Sequence, residues 1–155
     1  MQSIACEVGV GAAAAAVILG LTALAGRLPI MEGLEREFAR ILGRLAFGEV
    51  CLLAIASGLG EEILFRGALQ PIMGYLPASL LFGFVHTGPD RRFFAWTVFA
   101  LVVGLAFGGV VIWRESLLAV ITAHALVNGV SLARISTIAP SEPQKLSSDP
   151  PDEPV

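Results

Sequence analysis

Hydrophobic positions along the chain fall into long runs separated by short polar breaks, and a helix needs about 20 apolar residues to cross roughly 30 Å of hydrocarbon. Five runs reach or approach that length, at about 8–26, 45–70, 76–88, 93–113 and 116–134. The second is interrupted by polar residues near its middle. The third is short, so it is expected to tilt, thin the bilayer or end in a buried loop. Between the first two runs, Leu34, Phe38, Ile41, Leu42 and Leu45 recur at helical spacing, with Glu35, Arg36, Glu37, Arg40 and Arg44 on the other side. That periodicity predicts an amphipathic helix over residues 29–44 lying in the membrane interface. The expected fold class is all-α: a polytopic transmembrane helical bundle with about five membrane segments plus one interfacial amphipathic helix.

Composition narrows the class. The chain has 155 residues, 55% hydrophobic and 15% charged, against roughly 45–50% apolar and about 25% charged in soluble domains. A single soluble core of this size leaves about 30% of its unfolded surface in water, which so apolar a chain cannot supply in polar groups. Soluble, disordered and collagenous classes are excluded, and the lipid bilayer is the first expected partner. From Ala139 onward five prolines, several serines and the acids Glu142, Asp149, Asp152 and Glu153 leave nothing to bury. The expected organisation is a membrane-embedded domain over 1–138 and a disordered Pro-rich acidic tail over 139–155. The formal charge is −3, and Lys145 in that tail is the only lysine. No basic surface remains for a polyanion, so no nucleic acid partner is expected.

Cys6 and Cys51 have neither a disulfide framework nor metal-ligand spacing and read as small apolar fillers. The apolar stretch 9–25 is preceded by Glu7 and by no Lys or Arg, unlike a cleaved signal, and reads as a retained spanning helix. An N-terminus outside would put Arg27, Arg36, Arg40, Arg44, Arg91, Arg92, Arg134 and Lys145 inside, leaving Arg66 and Arg114 outside, in line with the positive-inside bias. No internal repeat is visible.

Ionisable groups inside apolar helices are costly and are candidates for function. Within the second run stands Gly60-Glu61-Glu62-Ile63-Leu64-Phe65-Arg66-Gly67. Two adjacent carboxylates in a low dielectric call for a cation, and Arg66 lies four residues after Glu62 on the same helix face. Glu61 points about 100° away and is left free. The third run carries Phe82 and His86 on one face, and a neutral imidazole can act as base, acid or ligand. In the last run His124 and Asn128 form a second polar stripe, which must face the bundle interior. For each motif taken alone a structural role competes: a neutralised helix end, a helix-end histidine, an interhelical hydrogen-bond pair. Glu49 reads as structural.

An antiparallel hairpin turning at Met73-Gly74, next to Pro71 and Pro77, would place Glu61 and His86 at matching depth. The pair would then be able to share one water. A straight second helix entering at Arg44 conflicts with this, carrying Glu61 about 25 Å toward the far side while His86 stays near Arg91. Gly58 and Gly60 offer a break just before the carboxylates, so the hairpin is preferred.

Taken together, Glu61-Glu62-x-x-x-Arg66, Phe82-x-x-x-His86 and His124-x-x-x-Asn128, in this order on successive apolar segments, resemble the family of CAAX prenyl endopeptidases and bacteriocin-processing proteins, often called the Abi family. The resemblance covers about 45–134. It implies a multi-pass intramembrane protease that cuts near the end of a membrane-associated peptide or protein. It further implies that Glu61 and His86 activate the attacking water, that His124 and Asn128 form the oxyanion hole, and that Glu62 and Arg66 position the first pair, with Phe82 in support. No cofactor is favoured. Zinc is an alternative, held by Glu61, His86 and His124 with one open position. The chain departs from the family in having one clear span before the motif-bearing helices and in its tail. A small bundle suffices, or copies associate as a homo-oligomer. The expected location is the cytoplasmic membrane of a bacterium. Competing classes are a catalytically silent scaffold or immunity-type protein of the same fold and a proton-coupled transporter, although the latter's paired half-sequences are not seen.

Overall fold

The computed structural model of the chain describes residues 3–26, 29–89 and 91–139, without the side chain of Arg92. These form helices α1 (Ile4–Ala25), α2 (Pro29–Leu42), α3 (Phe47–Met73), α4 (Tyr75–Val85), α5 (Phe94–Arg114) and α6 (Leu118–Ile138), joined by short connections and without a strand among the described residues. The bundle is all-α, as the run pattern predicts. The tail beyond Ala139, Arg27 and Lys145 lie outside the described residues.

The span count of about five is not confirmed. Helices α1, α5 and α6 are long and apolar enough to cross a membrane, and α2 with α3 makes a fourth span only if the two are taken as one, bent by 109°. Two physical reasons lower the number. Helix α4 has 11 residues, about 16 Å of rise, roughly half the hydrocarbon thickness. Helix α3 is long enough but carries Glu49, Glu61, Glu62 and Arg66. The protein is an integral membrane protein: Val17, Leu21, Leu24, Ile55, Val102 and Ile112 all present their side chains outward, where only lipid suits them.

Helix α2 turns away from α3 and packs against the bundle through its apolar face. Its Leu34 and Ala39 are buried, and Phe38 meets Phe93 and Trp96 edge-on, with ring centroids at 5.5 and 5.4 Å. Ile41 and Leu42 remain exposed. Glu49 caps α3: its Oε2 accepts the Ala46 N–H at 2.7 Å, the structural role expected of it.

The core is built from side chains on α1, α5 and α6, with Phe107 set among the smaller Ala15, Val103, Val120, Ala123 and Val127. Helices α3 and α6 approach closely at Gly58, where a Cβ would lie 2.8 Å from the Ala125 nitrogen. Only glycine permits that distance, which is how membrane helices gain van der Waals contact without a hydrophobic drive. At one end of the bundle Glu7 of α1, 3% exposed, accepts two bonds from Arg114 of α5, at 3.2 Å from Nε and 2.7 Å from Nη2. Both cysteines are free. Cys6 is exposed beside Arg114, so the filler reading fails for it: its sulfur accepts from the guanidinium at 3.4 Å rather than filling the core.

Candidate active site

The site grows from a local irregularity in α3. Pro71 has no N–H to give to the Gly67 carbonyl, and the ladder upstream widens: Ile63–Leu69 is wound as a π-helix and the Gln70 N–H reaches back to Phe65 O. Phe65 and Arg66, adjacent in sequence, are both buried in this wider turn. The helix ends at Gly74, whose φ of 95° is open to glycine. There the chain reverses into α4, at the turn that the hairpin expectation named. Because α4 is short, His86 ends it at the level of Glu61, and the depth conflict disappears.

Arg66 lies beneath this turn, 3% exposed. It donates to Glu62 Oε1 at 3.2 Å and to the Gly104 carbonyl at 3.1 Å, and its guanidinium stands 4.2 Å above the Phe82 ring. Glu62 is fully buried. The same Oε1 accepts from His124 Nδ1 at 2.7 Å. Glu62 and Arg66 are expected beside the Glu61–His86 pair; the ion pair is seen to meet His124 on α6, while Arg66 also packs on Phe82, whose carbonyl holds His86. The cause is helical phase: Glu61 and Glu62 are about 100° apart, and Glu62 is the one turned to α6.

His86 closes α4. Its Nδ1 lies 2.6 Å from the Phe82 carbonyl, one of the acceptors that a helix end leaves unpaired. A carbonyl only accepts, so Nδ1 carries a proton, and Nε2 is the nitrogen left to face the site. That Nε2 is 3.5 Å from Glu61 Oε2. His124 Nε2 is 3.9 Å from the same oxygen, and Glu61 Oε2, although buried, has no hydrogen-bond partner. Two imidazoles, each pinned through Nδ1, therefore turn their second nitrogen toward one unsatisfied carboxylate oxygen.

Asn128 completes the group. It lines, with Glu61, Phe82, His86 and His124, a cavity of about 90 Å³ walled by Trp96 and Phe107, space for about three waters at 30 Å³ each. Its Nδ2 donates to Ser57 Oγ at 2.8 Å. All seven residues singled out in the sequence gather here. Sequence reading missed Ser57, Trp96 and Phe107. Ser57 stands four residues before Glu61 on the same face, a signal the spacing rule detects; the two aromatics look like any core residue.

Zinc can be tested against this geometry. Tetrahedral ligation with bonds near 2.0–2.1 Å puts donor atoms about 3.3–3.4 Å apart. The Glu61–His86 separation is close to this, but that to His124 is wider. Among the described residues no group of three His, Cys, Asp or Glu is arranged to hold a metal ion.

Residues 43–130 match the family model described as type II CAAX prenyl endopeptidase Rce1-like. The chain belongs to that family. The match spans α3 to most of α6 and takes in every residue of the site. The family is one of CAAX-type proteases, so peptide-bond hydrolysis inside a membrane is its chemistry at family level. The chain is also 30% identical over 98 residues to the uncharacterized protein YpbD of Bacillus subtilis (strain 168), a match covering 62% of this chain and 50% of that relative. The chain thus spans about half the length of the curated relative it matches. No solved structure matches it significantly.

Proposed function

We propose that the protein is an intramembrane endopeptidase of the bacterial cytoplasmic membrane, hydrolysing a peptide bond near the end of a membrane-associated protein or peptide. The observation that carries this is the convergence of His86 Nε2 and His124 Nε2 on the unpartnered oxygen of Glu61, beside a cavity of water size.

Charge balance assigns the roles. The embedded set holds two carboxylates and one guanidinium, and a low dielectric favours neutrality. One imidazole then carries a second proton and the other is neutral. His124 gives its Nδ1–H to Glu62, which leaves its Nε2 to carry the second proton and offer Nε2–H to a developing oxyanion. His86 in its neutral form accepts through Nε2 one hydrogen of the water that bonds Glu61, so that its lone pair does not meet the carboxylate directly.

A water in the cavity bonds Glu61 and attacks the scissile carbonyl carbon. Its oxygen forms the new C–O bond while its proton passes to Glu61, shared with His86. The carbonyl π electrons move to oxygen, and His124 Nε2–H and an Asn128 Nδ2–H hold that oxyanion. Collapse re-forms the carbonyl and breaks the C–N bond, and the proton held by Glu61 and His86 moves to the departing amine.

The test uses protein in liposomes carrying a membrane-tethered peptide, with cleavage read by mass spectrometry. Glu61→Gln should lower kcat by about 10²–10⁴-fold, the worth of a general base, and His86→Ala and His124→Ala should abolish cleavage with the helical fold retained. Unchanged cleavage in all three variants refutes the assignment. Metal analysis belongs to the same experiment: stoichiometric zinc in the purified protein, lost on Glu61→Gln, would sink the metal-free version.

A further inference from the structure

Helices α3 and α6 meet through two parallel side-chain bridges, Glu62 to His124 and Ser57 to Asn128, and the second has no place in the mechanism so far. Ser57 Oγ lies 2.8 Å from the Leu53 carbonyl and 3.3 Å from the Ala54 carbonyl of its own helix. Carbonyls only accept, so the single hydroxyl proton is committed to the helix, and what Ser57 offers outward is a lone pair. The Asn128 amide facing it must do so through Nδ2 rather than Oδ1. An unanchored amide has two orientations of nearly equal shape, one of which presents an acceptor where a donor is needed.

From this bond pattern we infer that Ser57 is a positioning residue. It fixes the flip of the Asn128 amide, so that the amide's second N–H, not its carbonyl, is available to the oxyanion. The inference rests on the oxyanion role proposed for Asn128. Gly58 makes the bridge possible, because the close passage of α3 over Ala125 brings Ser57 within 2.8 Å of Asn128. An alanine at 57 leaves the amide free to turn, and an acceptor oxygen facing an oxyanion repels the transition state while leaving the bound substrate nearly untouched.

Steady-state cleavage of the tethered peptide by Ser57→Ala, Ser57→Thr, Asn128→Ala and the double variant Ser57→Ala/Asn128→Ala decides the matter. Loss of one oxyanion donor costs about 10²–10³-fold in kcat, so Asn128→Ala should fall in that range. Ser57→Ala should fall about tenfold or more in kcat with KM nearly unchanged. Ser57→Thr, which keeps the hydroxyl, should recover most of the rate. The double variant should be no slower than Asn128→Ala, because Ser57 acts only through that amide. A wild-type kcat in Ser57→Ala beside a slow Asn128→Ala overturns the inference alone, as does a double variant whose losses multiply. A wild-type kcat in Asn128→Ala overturns the oxyanion reading and the inference with it.

Discussion

Among the described residues two buried carboxylates each pair with an arginine, and they differ in what surrounds them. Glu7 and Arg114 lie at one end of the bundle, where the arginine gives two bonds to one carboxylate oxygen and ties α1 to α5. Glu62 and Arg66 lie on a single helix, and the pair hands its field on: the oxygen that takes Arg66 also takes His124, whose far nitrogen faces Glu61 across a cavity. A buried charge in an apolar helix is therefore not a sign of function by itself. The first pair is a clamp between two helices, although Glu7 Oε2 is left without a partner; the second is one wall of a site, recognised by two imidazoles that turn their second nitrogen to one carboxylate oxygen, Glu61 Oε2.

The contrast can be broken by substitution. Glu62→Ala should have the largest effect, stranding Arg66 and His124 in the interior: about 3–5 kcal/mol of stability, measured by thermal unfolding in micelles, together with loss of cleavage. Stable protein that still cleaves would show the second pair to be a clamp as well. Next comes Gly58→Leu, which overfills the α3–α6 seam and should cost about 1–3 kcal/mol, with cleavage falling because both bridges across the seam lengthen. Unaltered kcat would mean that the seam's register does not matter to the site. Glu7→Gln should lower the melting temperature by a few degrees and leave kcat per folded molecule at the wild-type value, and a fall in kcat would place Glu7 among the functional groups. Smallest is Arg36→Gln, which breaks an exposed pair with Glu32 at 3.1 Å. It should change stability by no more than about 0.5 kcal/mol, and a larger loss would show that α2 depends on its surface charges.

Much of this was legible in the chain. Spacing put Glu62 and Arg66 on one face, and their ion pair forms at 3.2 Å. The Pro and Gly positions located the turn at Gly74, and with it the meeting of Glu61 and His86. Three things were not legible. Counting apolar runs overstated the spans, because run length does not reveal that α4 stops halfway or that α2 and α3 meet at 109°. Nor does spacing within one helix reveal that Glu62 meets His124, 62 residues away on α6. Glu7, noticed only as an acid in the N-terminal flank, gave no hint of Arg114, which is 107 residues away.

What the sequence alone determined is everything that depends on local period and composition: an all-helical membrane chain, the polar stripes along each helix, and which residue types had to be hidden from lipid. Those follow from 3.6 residues per turn and the cost of bare polar groups in hydrocarbon. Only the tertiary structure decided which stripe faces which. That depends on the rotation and closeness of whole helices, set here by Gly58 against Ala125 and by the widened turn before Pro71. A rotation of one residue about α3 exchanges Glu61 for Glu62, and with it the group that holds His124 for the group that faces the cavity.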